Sequence, residues 1–189
     1  MRKKRVSVKR LVLCPSFEPS KDFEIVLKMA EKNHNQVVEM LREKGYEVEV
    51  PVSVSTRSYV IQGRVDGIDR KRMRLAEVKP FKIDYSAVRQ ALMYRDMLFV
   101  VEGKLYRVVI YRYSKVDDRM VVIPSMGLNV LGEEVELMSM YREVMKVLNH
   151  SLSRIKCEVC ERCRFVSECT PQAEWRGRKL ILYKRSVEV

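Results

Sequence analysis

The sequence predicts an α/β fold, and three observations carry that expectation. Apolar residues recur at helical spacing in three long stretches, at 21–44, 86–101 and 133–152. Between them lie short runs with the period-two alternation of strands, the first from Tyr46 to Val54. Helical and extended stretches interleave along the chain instead of segregating. A chain of 189 residues suits one such domain with a small appendage, and we read 1–189 as a single domain.

The chain begins with a basic segment, Met1 to Arg10, whose positive side chains are Arg2, Lys3, Lys4, Arg5, Lys9 and Arg10. Leu11-Val12-Leu13 is too short an apolar run for a signal-peptide core. Cys14-Pro15-Ser16-Phe17 reads as a turn. Ser20 is placed to cap a helix whose first turn holds Asp22 and Glu24, acids that suit a helix N-terminus. Val26, Met29, Ala30, Val37, Val38 and Leu41 then form its apolar stripe, and Gly45 ends it. His34 falls on that stripe, as either a hydrogen-bonded core residue or a ligand. Tyr46, Val48, Val50, Val52 and Val54 alternate with polar residues as one half-buried strand, and Pro51 puts it at an edge. Two further strands follow, one carrying Gly63 and Asp66, the next ending in Glu77 and Lys79 before Pro80. Ser86 can cap a second helix to about Val101, with Val88, Ala91, Leu92, Leu98 and Phe99 as its core stripe. Gln90 and Tyr94, four apart, share a neighbouring face. Leu105 to Tyr113 and Arg119 to Ile123 read as strands around Asp117 and Asp118. The last helix runs from about Glu133 to Leu152, with Met138, Tyr141, Met145, Leu148 and Leu152 on its stripe.

The net charge is +12, from 37 Lys and Arg against 25 Asp and Glu. A surplus of that size in a small domain suits a polyanion, and nucleic acid is the common one; a solubility charge or an anionic membrane surface is the competing explanation. No apolar run approaches membrane-spanning length, so no membrane partner is expected and a cytoplasmic protein is the default. The basic tail interleaves Trp175, Tyr183, Arg176, Arg178, Lys179, Lys184 and Arg185, which suits base stacking and phosphate contacts. A docked strand explains Leu180-Ile181-Leu182 equally well.

Two groups of residues carry chemistry. On a strand Glu77 and Lys79 project from one face, continuing the alternation of Met73 and Leu75. If the two strands form a hairpin, Asp66 approaches the same point. Paired carboxylates beside an ammonium on a buried face call for a balancing charge, and a divalent cation takes carboxylate oxygens. Taken singly, each acid reads as an ordinary solvent-facing charge. The second group is Cys157, Cys160, Cys163 and Cys169, with Cys14 far upstream. Without a secretion signal such clustering points to metal or cluster ligation rather than disulfides, and spacing alone does not separate an iron–sulfur cluster from zinc.

His34 on a helix, Gly63-x-x-Asp66, Glu77-x-Lys79 and Gln90-x-x-x-Tyr94, in that order, resemble the RecB-like branch of the PD-(D/E)xK nuclease superfamily. With Cys160-x2-Cys163-x5-Cys169 and Cys14-Pro15 upstream, the chain is similar to the iron–sulfur nucleases of that branch. Within it, the resemblance is to the CRISPR-associated RecB-like exonucleases, the fourth Cas family. It spans about Cys14 to Cys169. It implies a restriction-endonuclease-like α/β core, a central mixed sheet flanked by helices. The segments 1–20 and 153–189 would together form a cluster subdomain joining the two termini.

Residue by residue, the resemblance implies that His34, Asp66 and Glu77 bind Mn2+ or Mg2+, with the backbone carbonyl of Val78 as a further ligand. Lys79 would orient the attacking water or stabilise the charged phosphorane, and Gln90 and Tyr94 would shape the site and hold the strand. Cys14, Cys160, Cys163 and Cys169 would ligate a [4Fe–4S] cluster. Cys157 departs from the pattern, so three local thiolates including it could instead hold a cluster or Zn2+. The implied activity is a metal-dependent deoxyribonuclease acting on single-stranded DNA ends, mainly 5′ to 3′, alongside CRISPR integrase proteins during adaptation. Two other readings remain at this point: a stand-alone repair or replication nuclease, and a DNA-binding adaptor whose catalytic site has lapsed.

Overall fold

The computed structural model describes residues 3–80, 84–116, 119–127 and 136–183. Six strands form one mixed sheet: β1 (Lys4–Ser7), β2 (Glu47–Ser55), β3 (Tyr59–Asp69), β4 (Arg74–Pro80), β5 (Arg107–Val116) and β6 (Arg119–Gly127). Among the described residues four helices accompany it, α1 (Val8–Val12), α2 (Lys21–Glu43), α3 (Tyr85–Glu102) and α4 (Ser139–Asn149). A second, three-stranded sheet follows α4, from β7 (Ile155–Lys156), β8 (Ala173–Arg176) and β9 (Lys179–Leu182). Between β7 and β8 lie two single 3-10 turns, Cys160–Arg162 and Val166–Glu168.

β3 is the strand around which the site forms. One edge pairs antiparallel with β2 along most of its length. The other edge is shared: β1 takes Tyr59 to Gln62 in parallel, and β4 takes Gly67 to Asp69 antiparallel. The stretch from Gly63 to Asp66 has no ladder partner on that side, so the sheet opens into a fork there. Beyond the fork β4 pairs parallel with β5 from Arg74 to Pro80, and the connection a parallel pair requires is α3.

The expected single face of the strand from Tyr46 to Val54 proves to be two. Val52 and Val54 join the main core, whereas Tyr46 and Val48 pack with Leu41 and Tyr111 in a smaller one. β3 switches sides at the matching place, since Val65 belongs to the main core while a Cβ on Gly67 would meet Leu41 and Tyr46. Glu49, with φ 52, and Asp66 lie opposite one another in the β2–β3 register, between the two switches. A residue held at positive φ breaks the alternation that an unbroken strand would keep.

Several expectations about the helices need correction. α2 is about 35 Å long at 1.5 Å per residue, and only its second half lies on the sheet. Val37, Val38 and Leu41 are buried, but Val26 and Met29 are exposed. Ser20 occupies the N-cap position, yet its hydroxyl makes no capping bond; its N–H donates to the Arg162 carbonyl at 2.9 Å. Asp84, not Ser86, caps α3, accepting from the Ala87 N–H at 3.1 Å. α3 has no single apolar stripe, because its neighbours enclose Ala87 to Met93, except Gln90, and Tyr94 to Leu98. α4 starts at Ser139; Met140, Val144, Val147 and Leu148 are buried, and Tyr141, Met145 and Leu152 of the predicted stripe pack half-buried against the main core beside them. Glu133, Asp117, Asp118, Lys184 and Arg185 lie outside the described residues. The basic start is not merely a charged segment: it supplies β1 and α1, with Val8, Leu11 and Val12 buried. β1 thus belongs to the main sheet rather than to a terminal subdomain.

Candidate active site and cysteine cavity

The fork in the sheet gathers the carboxylates. Where β4 no longer pairs with β3, the Val78 N–H donates to Asp66 Oδ2 at 2.7 Å, so a side chain replaces the missing ladder bond. Asp66 Oδ1 lies 3.5 Å from His34 Nε2 on α2. That contact, ahead of the opposing effect of burial, raises the His34 pKa above its ordinary value. Glu77 is 0 % exposed, and neither of its carboxylate oxygens has a hydrogen-bond partner. The Lys79 ammonium stands 2.6 Å from Glu77 Oε1 as an ion pair. Burial first, then the Asp66 charge, pushes the Glu77 carboxyl up to about 7. Burial works to lower Lys79, but Glu77 and Asp66 outweigh it and hold its pKa up.

α3 supplies the other wall. Gln90 Oε1 accepts from Lys79 Nζ at 3.2 Å. The Tyr94 hydroxyl accepts from the Arg64 N–H at 3.3 Å, filling part of the open edge of β3. Burial, followed by the charges of Glu77 and Asp66, raises the Tyr94 pKa. Gly63 lets that ring approach, since a Cβ there would sit 2.5 Å from Tyr94 Cε1. His34, Asp66, Glu77, Val78, Lys79, Gln90 and Tyr94 are therefore brought to one place. Lys9 was not singled out in the sequence. It is open to solvent by area, yet burial of its ammonium, then Lys79, lowers its pKa, and Glu31 and Glu77 act in the opposite sense. Its only sequence signal was membership of the basic start.

A hard cation fits these residues, because a buried carboxylate with no hydrogen bond beside a second carboxylate is costly unless positive charge offsets it. Lys79 and His34 provide that charge in the present arrangement. Among the described residues no three His, Cys, Asp or Glu side chains converge closely enough to hold an ion as they stand.

The thiols lie elsewhere. Cys14, Cys160, Cys163 and Cys169 line a cavity of about 570 Å³ together with Pro15, Phe17, Phe165 and Pro171. Backbone bonds bring the two ends of the chain together around it: Ser16 N–H to Ser153 O at 3.0 Å, and Arg164 N–H to Glu18 O at 2.9 Å. The Ile155 N–H reaches Cys14 Sγ at 3.4 Å. Cys157 is buried and does not line the cavity. Thiolates suit either an iron–sulfur cluster or zinc.

Arg89, which the sequence reading passed over, joins the two regions. It is 0 % exposed and donates to Val12 O at 2.9 Å, to Gly177 O at 2.6 Å and to both oxygens of Glu158. Its guanidinium lies 4.8 Å from the centre of the Trp175 ring. Trp175 in turn donates to Leu13 O at 3.0 Å, so this tail aromatic is docked at 4 % exposure and is not available for stacking on a base.

No family model and no curated protein matches the chain. Among solved structures, the crystal structure of SSO0001 superposes with a TM-score of 0.57 at 16% identity, over 90% of this chain and 88% of that one. The fold is shared with SSO0001. A candidate exonuclease from Eubacterium rectale gives a TM-score of 0.37 at 13% identity, over 66% of this chain and 52% of that protein. The shared architecture is a mixed α/β sheet flanked by helices. No helix among the described residues is long and apolar enough to cross a membrane.

Proposed function

We propose that this chain is a metal-dependent deoxyribonuclease that hydrolyses phosphodiester bonds at single-stranded DNA ends. The observation that carries this reading is Glu77: a fully buried carboxylate with no hydrogen bond, set against Asp66, His34 and Lys79 at a fork in the sheet. His34, Asp66, Glu77 and the Val78 carbonyl would hold Mn2+ or Mg2+. A bound ion of that kind lowers the pKa of water and offsets charge on phosphate oxygens.

The chain's own residues do the rest. Lys79, tied to Gln90 and Glu77, keeps a positive charge at the place where the phosphate must gain negative charge. Tyr94 fills the gap in the open edge of β3 and excludes water from one side of the carboxylates. Asp66, fixed through Oδ2 by the Val78 N–H, leaves Oδ1 turned toward His34. Cys14, Cys160, Cys163 and Cys169 would hold a [4Fe–4S] cluster that binds the amino-terminal segment to the carboxy-terminal one. Closing a loop of that length stabilises a fold. The resemblance in the motifs extends the reading to 5′-to-3′ trimming of DNA fragments in CRISPR adaptation, with the integrase proteins as partners.

The test is cleavage of end-labelled single-stranded DNA in Mn2+ by the wild type and by Asp66→Ala. The expected result is cleavage by the wild type that is lost both in the variant and on chelation. Equal rates for the two proteins would overturn the assignment.

A further inference from the structure

The fifth cysteine has its own place in the structure. Cys157 is shut off from the cysteine cavity, but its Sγ is 3.8 Å from the Sγ of Cys160, which lines that cavity. The Cys160 N–H donates to the Cys157 carbonyl at 3.1 Å. That bond closes a four-residue turn, whose end Cα atoms lie within about 7 Å. Disulfides form at Cα separations of roughly 4.4–6.8 Å, so the backbone already holds the pair at bridging range. The sulfurs need only side-chain rotation to meet. In addition, the Cys157 N–H donates to Cys160 Sγ at 3.1 Å, which holds that sulfur beside the first residue of the turn. Cys160 is half-buried on the cavity wall, within reach of a small molecule, while Cys157 is 9 % exposed behind it.

We propose that Cys157 and Cys160 form a dithiol–disulfide site, and that its oxidised form withdraws Cys160 from the cysteine cavity. The second half of this statement rests on the cluster reading above; the first half stands without it. The oxidant is a small-molecule disulfide. The Cys160 thiolate attacks one of its sulfurs, forming a mixed disulfide and releasing one thiolate, which takes up a proton. Cys157 then loses its proton to solvent and attacks Cys160 Sγ, forming the internal bond and releasing the second small thiol. Two protein thiols are oxidised by two electrons, and one disulfide is reduced to two thiols. A sulfur bonded to Cys157 cannot also ligate iron, so disulfide and cluster exclude one another.

Trypsin makes the site readable, because Lys156 and Arg162 bracket the pair and release both cysteines on one peptide, 157–162. The reduced metal-free protein is treated with oxidised glutathione, the remaining thiols are alkylated, and the digest is mapped by mass spectrometry. The expected product is peptide 157–162 two hydrogens lighter and unalkylated, with Cys14, Cys163 and Cys169 alkylated. In Cys157→Ser, the glutathione adduct should persist on Cys160. A persistent adduct in the wild type, or pairing of Cys160 with Cys14, Cys163 or Cys169, would overturn the proposal. The protein as purified receives the same treatment. If it carries iron, the internal disulfide should not accumulate while the cluster absorbance lasts; equal oxidation with and without the cluster would refute the exclusion. Protein that carries no iron but still forms the 157–160 bond would refute the cluster reading and leave the dithiol site standing.

Discussion

Gly63→Ala tests whether the approach of Tyr94 to the open edge of β3 is as close as the geometry requires. The added Cβ would lie 2.5 Å from Tyr94 Cε1 and 2.6 Å from its hydroxyl oxygen. The ring cannot swing into solvent without breaking its placement, since Tyr94 is 3 % exposed and its hydroxyl accepts from the Arg64 N–H. Forcing a methyl group into such packing costs about 1–3 kcal/mol. For a chain of this size each kcal/mol lowers Tm by about 2–4 °C, so a fall of about 2–12 °C is expected. Trp175, the single tryptophan and 4 % exposed, reports unfolding by fluorescence in urea. Tyr94→Ala will itself cost about 3–5 kcal/mol, as truncations of large buried rings do. The decisive quantity is therefore the coupling in a double-mutant cycle: with the ring removed, Gly63→Ala should become nearly neutral. A single-variant cost below about 0.5 kcal/mol, typical of a surface change, would refute the reasoning. So would a cost unchanged in the Tyr94→Ala background.

Arg89→Met keeps the stem and removes the charge, leaving Glu158 and the Val12 and Gly177 carbonyls without their donor. Breaking a buried pair costs about 3–5 kcal/mol; because Glu158 is 26 % exposed and can regain water, the lower end is expected in urea unfolding, and Arg89→Met/Glu158→Gln should recover part of the loss. Glu102 gives a pH dependence with a definite sign. Burial works to raise its pKa, but hydrogen bonds from Arg70 and Tyr106 outweigh it and leave the folded value below the ordinary 4.5. The unfolded chain then binds the proton more readily, so this contribution is present above pH 4.5 and is lost as pH falls through the folded value. Glu102→Gln should flatten the acid side of the stability profile without changing its dependence near neutrality.

The sequence made the elements of the site legible because each lies in a short segment of strong periodicity. Asp66 lies on one strand and Glu77 and Lys79 on the next, and Gln90 and Tyr94 lie one helical turn apart, so local pattern is enough to propose that they meet. The fork that makes them meet is not local. It arises because β1, more than fifty residues upstream of Gly63, takes one part of β3's edge and β4 takes another. A basic stretch does not announce itself as a parallel strand, and β1 went unread. The slip at Glu49 and Asp66 was hidden for the opposite reason. Valines at every second position predict one face however the backbone turns, and only the positive φ of Glu49 reveals two. Arg89 escaped notice because a buried arginine on a helix looks in sequence like any surface arginine; its acceptors come from segments near 12, 158 and 177.

Arg89 and Gln90 are neighbours on α3, about 100° apart around the helix axis, and so face different surroundings. Arg89 faces the segments that carry Cys14 and Cys157, through Val12, Glu158 and the Trp175 ring, while Gln90 faces Lys79 at the carboxylates. The carboxylates themselves depend little on this helix. Asp66 and Glu77 stand on β3 and β4, and the Val78 N–H fixes Asp66 from within the sheet. The supporting side chains, Gln90 and Tyr94, stand on α3, and α3 takes part of its own anchorage from the cysteine-bearing ends of the chain. A disturbance at the cysteines should therefore reach the site unevenly. It displaces the groups that hold Lys79 and cover the fork while leaving the two acids in place. On this view the cysteine-bearing segments act on Gln90 and Tyr94 through the position of one helix, a route separate from the direct pairing of β1 with β3 that shapes the fork.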